Sequence, residues 1–258
     1  MLKTFEMLIP TTQSSRTIRV YDPETCTEKT PCDILFMHDA QNLFDDAMSY
    51  HDVSWRVIEG LEKAGKQNII VVGIDNSPTE RMNEYSPYTT SVEFKDRFIK
   101  GTGGKGFIYI DFLVKDLLPH IKHMYPMTTS QYYIAGSSMG AYISMFAAMR
   151  YPTLFKGVGC FSIASWFNED AFLKDLRHSN ISLNTRFFIS VGDQETSSKD
   201  IASFPEIYIN NAKNVYQTLK DQGHMNLKFD IVSGSHNERQ WMALFPEFIS
   251  FITQHKKW

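Results

Sequence analysis

Alternating apolar runs and helical stripes predict an α/β fold built on a mostly parallel central sheet with helices on both faces. Three observations carry that expectation. Residues 34–37 (Ile-Leu-Phe-Met), 69–74 (Ile-Ile-Val-Val-Gly-Ile) and 186–191 (Arg-Phe-Phe-Ile-Ser-Val) are short and mostly apolar, as strands in a buried sheet are. Stripes of 3.6-residue period separate them, so the connections are helical crossovers. Each run also ends in polar residues: His38-Asp39-Ala40-Gln41-Asn42, Asp75-Asn76-Ser77-Pro78 and Gly192-Asp193-Gln194-Glu195. In a parallel sheet the ligand site lies outside the carboxyl ends of the strands, where these residues fall.

Taken in order, residues 17–21 alternate like an early, half-exposed strand, and Asp22-Pro23-Glu24 turns the chain. Val57, Leu61 and Ala64 mark a helix after Trp55, closed by Gly65. Residues 79–107 lack periodicity and mix polar with aromatic side chains (Arg81, Asn83, Glu84, Tyr85, Tyr88), which predicts a loop over a site. Residues 101–106 fit G-x-G-x-x-G, but they follow charged Lys95-Asp96-Arg97 instead of an apolar strand, so no dinucleotide site is expected. Ile110, Leu113, Leu117, Ile121 and Met124 share a face, predicting a helix over 108–125 that Pro119 kinks or breaks. Beyond it come a strand over 157–162, a modest insertion over 164–185, a helix over 211–222 ended by Gly223, and a last strand over 227–232. Trp241, Leu244, Phe245, Phe248 and Ile252 predict a C-terminal helix interrupted at Pro246. With no repeat or linker, residues 1–258 read as a single domain.

The totals bound the function. A 43% hydrophobic share supports a sizeable core, and a net charge of −3 leaves no basic surplus for nucleic acid or an anionic membrane. No apolar run reaches membrane-spanning length, and the first residues lack the apolar core of a signal peptide. Cys26, Cys32 and Cys160 are odd in number and lack CxxC spacing, so three free thiols and a cytoplasmic location are expected. Neither His38-Asp39 nor His51-Asp52 has the spacing of a metal site, so no metal or other cofactor is expected. The oligomeric state is left open.

The chemistry centres on Gly136-Ser137-Ser138-Met139-Gly140, which follows β-rich Tyr132-Tyr133-Ile134 and precedes a helix with small side chains (Ala141, Ser144, Ala147, Ala148). The bare Gly-x-Ser-x-Gly pattern arises by chance in roughly one chain in ten of this length, but a strand before it and a small-sided helix after it are far more selective. The turn projects the Ser138 hydroxyl above the sheet and aims the Met139 N–H at a nascent oxyanion. A serine nucleophile needs a base, and the base needs an orienting acid. His236, in the turn after the last strand, is the candidate base. Asp193 and Glu195 both follow the preceding strand and are the candidate acids, with Asp200 a distant third. A second oxyanion N–H is expected from Ala40 or Gln41. Tyr85, Tyr88 and Trp166 are expected to line the substrate pocket.

His38-Asp39-Ala40-Gln41-Asn42-Leu43-Phe44, Val72-Gly73-Ile74-Asp75-Asn76, Arg81-Met82-Asn83-Glu84-Tyr85-Ser86-Pro87, the Ser138 turn, Arg150-Tyr151-Pro152 and His236-Asn237-Glu238 with Trp241 keep their order along nearly the whole chain. Together they resemble the "putative esterase" family of α/β-hydrolases, which includes enterochelin-type esterases, feruloyl and acetyl xylan esterases and S-formylglutathione hydrolase. The resemblance implies an α/β-hydrolase fold with a minimal lid, Ser138 as nucleophile and His236 as base. It favours Glu195 as acid over Asp193. The implied activity is a serine carboxylesterase acting on short acyl or small aromatic esters, acylated sugars or phenolic esters among them. An acyltransferase with the same triad, or a siderophore or thioester hydrolase, is the alternative. Residue 40 departs from the pattern, with alanine where His-Asp-Gly-Gln is usual, and this is expected to restrict the oxyanion loop.

Overall fold

Along Cys32–His38, Ile34 and Phe36 enter one hydrophobic core, whereas Leu35 and Met37 enter a second. Strand periodicity thus divides the molecule into a sheet with a core on each face. The structure, a computed structural model, describes residues 1–50, 52–92, 101–198 and 201–254. His51, Lys95-Asp96-Arg97 and Asp200 lie outside the described residues.

The elements run β1 (Leu2–Ile9), β2 (Ser14–Tyr21), β3 (Cys32–His38), α1 (Val57–Lys63), β4 (Ile69–Ile74), α2 (Arg81–Glu84), α3 (Gly106–Phe112), α4 (Leu118–Met124) and β5 (Thr128–Ser137). They continue with α5 (Met139–Arg150), β6 (Phe155–Phe161), α6 (Glu169–Arg177), β7 (Arg186–Gln194), α7 (Phe204–Asp221), β8 (Leu227–Ser235) and α8 (Glu238–Ile252). The strands form one sheet in the order β1-β2-β4-β3-β5-β6-β7-β8. Both ladders of β2 are antiparallel and every pair from β4 to β8 is parallel, so β2 alone runs against the rest. α1 and α8 cover one face, with Val57, Leu61, Phe245 and Phe248 packed on Leu35, Val71 and Phe188. The other helices supply the larger core on the opposite face, including Tyr109, Ile121, Ile143, Phe172 and Leu219. This is the expected α/β-hydrolase architecture.

Four local expectations change. The helix over 108–125 neither breaks nor runs regularly: a π turn over Leu113–Leu117 joins α3 to α4 just before Pro119. A wider turn there accommodates a residue that cannot donate to the carbonyl one turn back. α8 likewise runs through Pro246, losing one backbone bond while Trp241, Phe245, Phe248 and Ile249 stay buried against the sheet. The insertion over 164–185 contains α6, whose Phe172, Leu173 and Leu176 are buried. The fourth change concerns the thiols. Cys26 and Cys32 form a disulfide, and only Cys160 is free, buried in the sheet. Reciprocal backbone bonds between Thr27 and Thr30 fold the six-residue separation into a turn that brings the sulfurs together. The cytoplasmic reading therefore loses the free-thiol pattern on which it rested. Among the described residues no helix is long and apolar enough to cross a membrane.

Candidate active site

The crossover from β5 into α5 puts Ser138 between a strand and a helix with no intervening residue. Its backbone, φ 57° and ψ −121°, lies where a non-glycine residue is strained, a conformation held only by tight surroundings. Those surroundings exclude side chains. A Cβ on Gly136 would sit 2.7 Å from the Gly140 carbonyl carbon, and one on Gly140 would meet His38 Cβ at 3.3 Å. Ser138 opens onto a cleft of about 900 Å³ at the carboxyl ends of the strands, whose walls include Gln41, Asn42, Arg81, Trp166, Ser197 and His236.

His236 follows β8, and its Nδ1 hydrogen-bonds Glu195 Oε2. Glu195 is fully buried, and its other oxygen is held in a closed network. Oε1 accepts from the Gly192 N–H at 2.8 Å, from the Ser162 hydroxyl and, more weakly, from Gln240 Nε2 at 3.3 Å. The Trp241 indole donates to Ser162 Oγ at 2.9 Å, and Ser162 itself sits at φ 52° after β6. Three consecutive strand ends and α8 thus converge on one carboxylate. Asp193 is exposed and, among the described residues, accepts from the Gly234 N–H alone, at 3.0 Å, so it braces the β7–β8 rim while the imidazole bonds Glu195. The imidazole packs edge-on against Trp241 and beside Tyr208, each with ring centroids 5.0 Å away.

Tyr208 was not foreseen from the sequence. It is fully buried on α7, bonds Ser197 Oγ at 2.6 Å, and packs its ring edge-on against the Trp166 indole. Burial, which the Ser197 bond opposes and the Glu195 charge reinforces, pushes its phenol up to about 12. Among the described residues no hydrogen bond joins Ser138 to His236. Such a bond is often loose before substrate arrives.

The loop after β3 forms the opposite wall. Asp39 adopts φ 57°, and its carboxylate takes a bidentate bond from Arg81 (2.7 and 2.9 Å) and one from Asn76 Nδ2 (2.6 Å). Burial raises this carboxyl, but Arg81 and the Asn76 bond outweigh it and leave it below the usual aspartate range. Ala40 and Gln41 open a one-turn helix, Ala40–Asn42, whose first N–H groups have no intrahelical partner. The left-handed residue of this loop is Asp39, not Ala40, and the Ala40 methyl lies over Gly73. A Cβ on Gly73 would come within 2.6 Å of that methyl.

Of the three aromatic residues expected in the pocket, only Trp166 lines it. Tyr85 is fully buried beneath the loop, its hydroxyl accepting from the Asp39 N–H at 3.1 Å, so it supports the wall from behind. Tyr88 turns away to donate to Asp175 Oδ2 at 2.6 Å and packs near Tyr142 and Phe146. A mixed polar and aromatic loop suits either role, and the sequence offers no means of separating them.

His38 is a structural member of this wall, bonded through Nδ1 to the Tyr109 hydroxyl at 2.8 Å. Burial, only partly offset by the Asp39 charge, lowers its pKa from 6.5 to about 4. The unfolded chain therefore binds this proton first as pH falls. Its contribution to stability is intact above pH 6.5 and is lost progressively between 6.5 and about 4. Over that window His38 is expected to account for about 3 kcal/mol of lost stability, and a urea-unfolding series on His38→Gln should show a shallower decline than wild type. Parallel declines in the two proteins would contradict this.

The family model described as "Putative esterase" matches residues 9–252. The chain belongs to this esterase family. The esterase's fold is also shared by solved structures of low sequence identity. A crystal structure of BES protein from Bacillus cereus superposes with a TM-score of 0.76 at 16% identity, covering 98% of this chain and 96% of that one. An IroE-like serine hydrolase from Shewanella oneidensis gives 0.74 at 18%, over 97% and 78% of the two chains. A ferulic acid esterase gives 0.69 at 16%, over 98% of each.

Proposed function

We propose that this esterase is a serine carboxylesterase for short acyl or small aromatic esters, working through Ser138, His236 and Glu195. The observation that carries the reading is the buried, fully bonded Glu195 holding Nδ1 of an imidazole on the same cleft as Ser138. Glu195 fixes the tautomer that leaves Nε2 free to take a proton. Ser138 Oγ attacks the ester carbonyl while His236 accepts its proton. The oxyanion is stabilised by the Met139 N–H, at the first turn of α5, together with the N–H of Ala40 or Gln41. The imidazolium protonates the departing alcohol, then the imidazole activates water to release the acid.

The cleft walls support the substrate class. Trp166 offers an aromatic wall, whereas Gln41, Asn42, Asn76, Ser197 and Ser198 suit a hydroxylated alcohol or phenol more than a lipid chain. Among the described residues Arg81 is the one cationic side chain that lines the cleft, and Asp39 takes both of its forked donors. Likeness to a ferulic acid esterase is compatible with a phenolic acyl group.

A panel of acetyl, butyryl, octanoyl and feruloyl esters tests this. Acetyl, butyryl or feruloyl esters are expected to exceed the octanoyl ester in kcat/KM by about tenfold or more, roughly 1.4 kcal/mol in transition-state binding. Preference for octanoyl would overturn the substrate class. Turnover of p-nitrophenyl acetate only with an added alcohol would favour the acyltransferase alternative.

A further inference from the structure

Ser162 follows β6 in a conformation that serine seldom adopts. Its φ of 52° lies in the left-handed region, which a non-glycine residue keeps only where its surroundings over-determine it. The Ser162 N–H donates to the Ser190 carbonyl of β7 at 2.7 Å, and this holds the turned backbone against the neighbouring strand. The side chain is fully buried between two groups whose roles are fixed. The Trp241 indole N–H, 2.9 Å from Ser162 Oγ, can only donate. Glu195 Oε1 already takes the Gly192 N–H and can only accept. The serine proton therefore goes to Glu195, and a serine lone pair takes the indole N–H. Donation into one end of such a chain strengthens the bond at the other.

The chain closes on itself. Trp241 sets its ring edge-on to the His236 imidazole, with 5.0 Å between centroids and 89° between planes, and a second indole, Trp55, packs on it at 5.7 Å. Trp241 thus leads through Ser162 and Glu195 to Nδ1 of His236, and it also touches the imidazole directly.

We propose that Ser162 is a positioning residue of this esterase: tied to Trp241, it turns the Glu195 carboxylate so that Oε2 meets Nδ1, and so sets where Nε2 of His236 points. The inference rests on the proposed roles of Ser138, His236 and Glu195.

The physical need is plain. The last torsion of a glutamate side chain is broad and nearly two-fold, so burial alone does not choose which way the carboxylate faces. Donors on one oxygen make that choice. Gly192 N–H supplies one at 2.8 Å, Gln240 Nε2 is weaker at 3.3 Å, and Ser162 supplies the second strong one. With Oε1 so occupied, Oε2 is left for the imidazole. The ring contact with Trp241 limits the remaining tilt of that imidazole. Both constraints on His236 thereby lead back to one indole, and Ser162 is the link between them.

The test is a double-mutant cycle on p-nitrophenyl acetate at steady state: Ser162→Ala and Glu195→Gln, singly and together, with a thermal melt on each. Loss of an interaction made in the transition state lowers kcat and kcat/KM equally and leaves KM alone. Ser162→Ala is expected to lower kcat by about tenfold, the loss of one hydrogen bond to a charged group, with KM within about twofold of wild type. In the Glu195→Gln background, where no carboxylate governs the imidazole, the same change should cost less than about twofold. A residue that only packs would lose the same factor in both backgrounds. That result would overturn the proposal, as would wild-type kinetics in Ser162→Ala. If Ser162→Ala does not fold, Trp241→3-benzothienylalanine replaces it, since this analogue keeps the shape of the indole and has no N–H. It should lower kcat about threefold in the wild type and leave Glu195→Gln unchanged. No fall in the wild type, or an equal fall in both, would again overturn the proposal. An active Ser138→Ala, or a Glu195→Gln close to wild type, would remove the catalytic reading and this inference together. Large losses in those two beside a silent Ser162→Ala would reject only the role of Ser162.

Discussion

Ser138→Ala is expected to lower kcat on p-nitrophenyl acetate by a factor on the order of 10⁴ to 10⁶ with little change in fold. The size follows from what is lost. Without Oγ there is no covalent intermediate, and His236 is left with no hydroxyl to deprotonate. The N–H groups of Met139 and the Ala40–Asn42 turn remain, so a residue of catalysis over water should survive. Stability should change little. Alanine has the same Cβ as serine, so the strained φ of 57° costs the variant what it costs the wild type. Steady-state kinetics and a thermal melt on the same preparation check both statements. Labelling with a fluorophosphonate should add one mass equivalent to the wild type and none to the variant. A variant retaining more than about 1% of kcat would remove Ser138 from the mechanism.

The framework of this site was legible because its parts obey short-range rules. Ser138 is marked by two glycines whose absent side chains make room for a strand–helix crossing, and that constraint falls within five residues. His236 is marked by position, on the turn after the last parallel strand. The strands showed because burial on both faces leaves almost no polar residue in them. What stayed hidden depends on residues far apart in sequence. Ser162 looks like any polar residue at a strand end, yet it connects Trp241 to Glu195 across separations of 79 and 33 residues. Tyr208 belongs to an amphipathic helix, and only the tertiary structure turns its buried face toward Trp166 and His236. Tyr85 and Tyr88 share a loop and a composition, but neither enters the cleft. Residue 40 is a case of paired change. Alanine in a position expected to be glycine is accommodated because its neighbour across the wall, Gly73, has no side chain. The disulfide was missed for a similar reason, since spacing alone does not show that Thr27 and Thr30 close a turn between the cysteines.

Glu195→Gln is expected to lower kcat by about 10³ to 10⁴, and Asp193→Asn to leave it within about threefold. Sequence position does not distinguish the two carboxylates, which are two residues apart at the end of one strand. Environment does. Glu195 is inaccessible to water, and both of its oxygens are engaged, one by the imidazole and one by Gly192 and Ser162. Glutamine preserves the volume but must place an NH₂ against one of those two sets of partners. Turned toward His236, the amide would donate to Nδ1 and force the proton onto Nε2, the nitrogen that must accept from Ser138. Turned the other way, it would face the N–H of Gly192 and leave two donors opposed. Either orientation damages the base or the network that aims it, which is why the expected loss is large although no atom of Glu195 lies on the cleft wall. Asp193→Asn keeps an acceptor for the Gly234 N–H and alters only an exposed charge. Equal and mild losses in the two variants would mean that Ser138 and His236 work as a dyad, with the buried carboxylate serving to pin the ends of β6, β7 and β8 together.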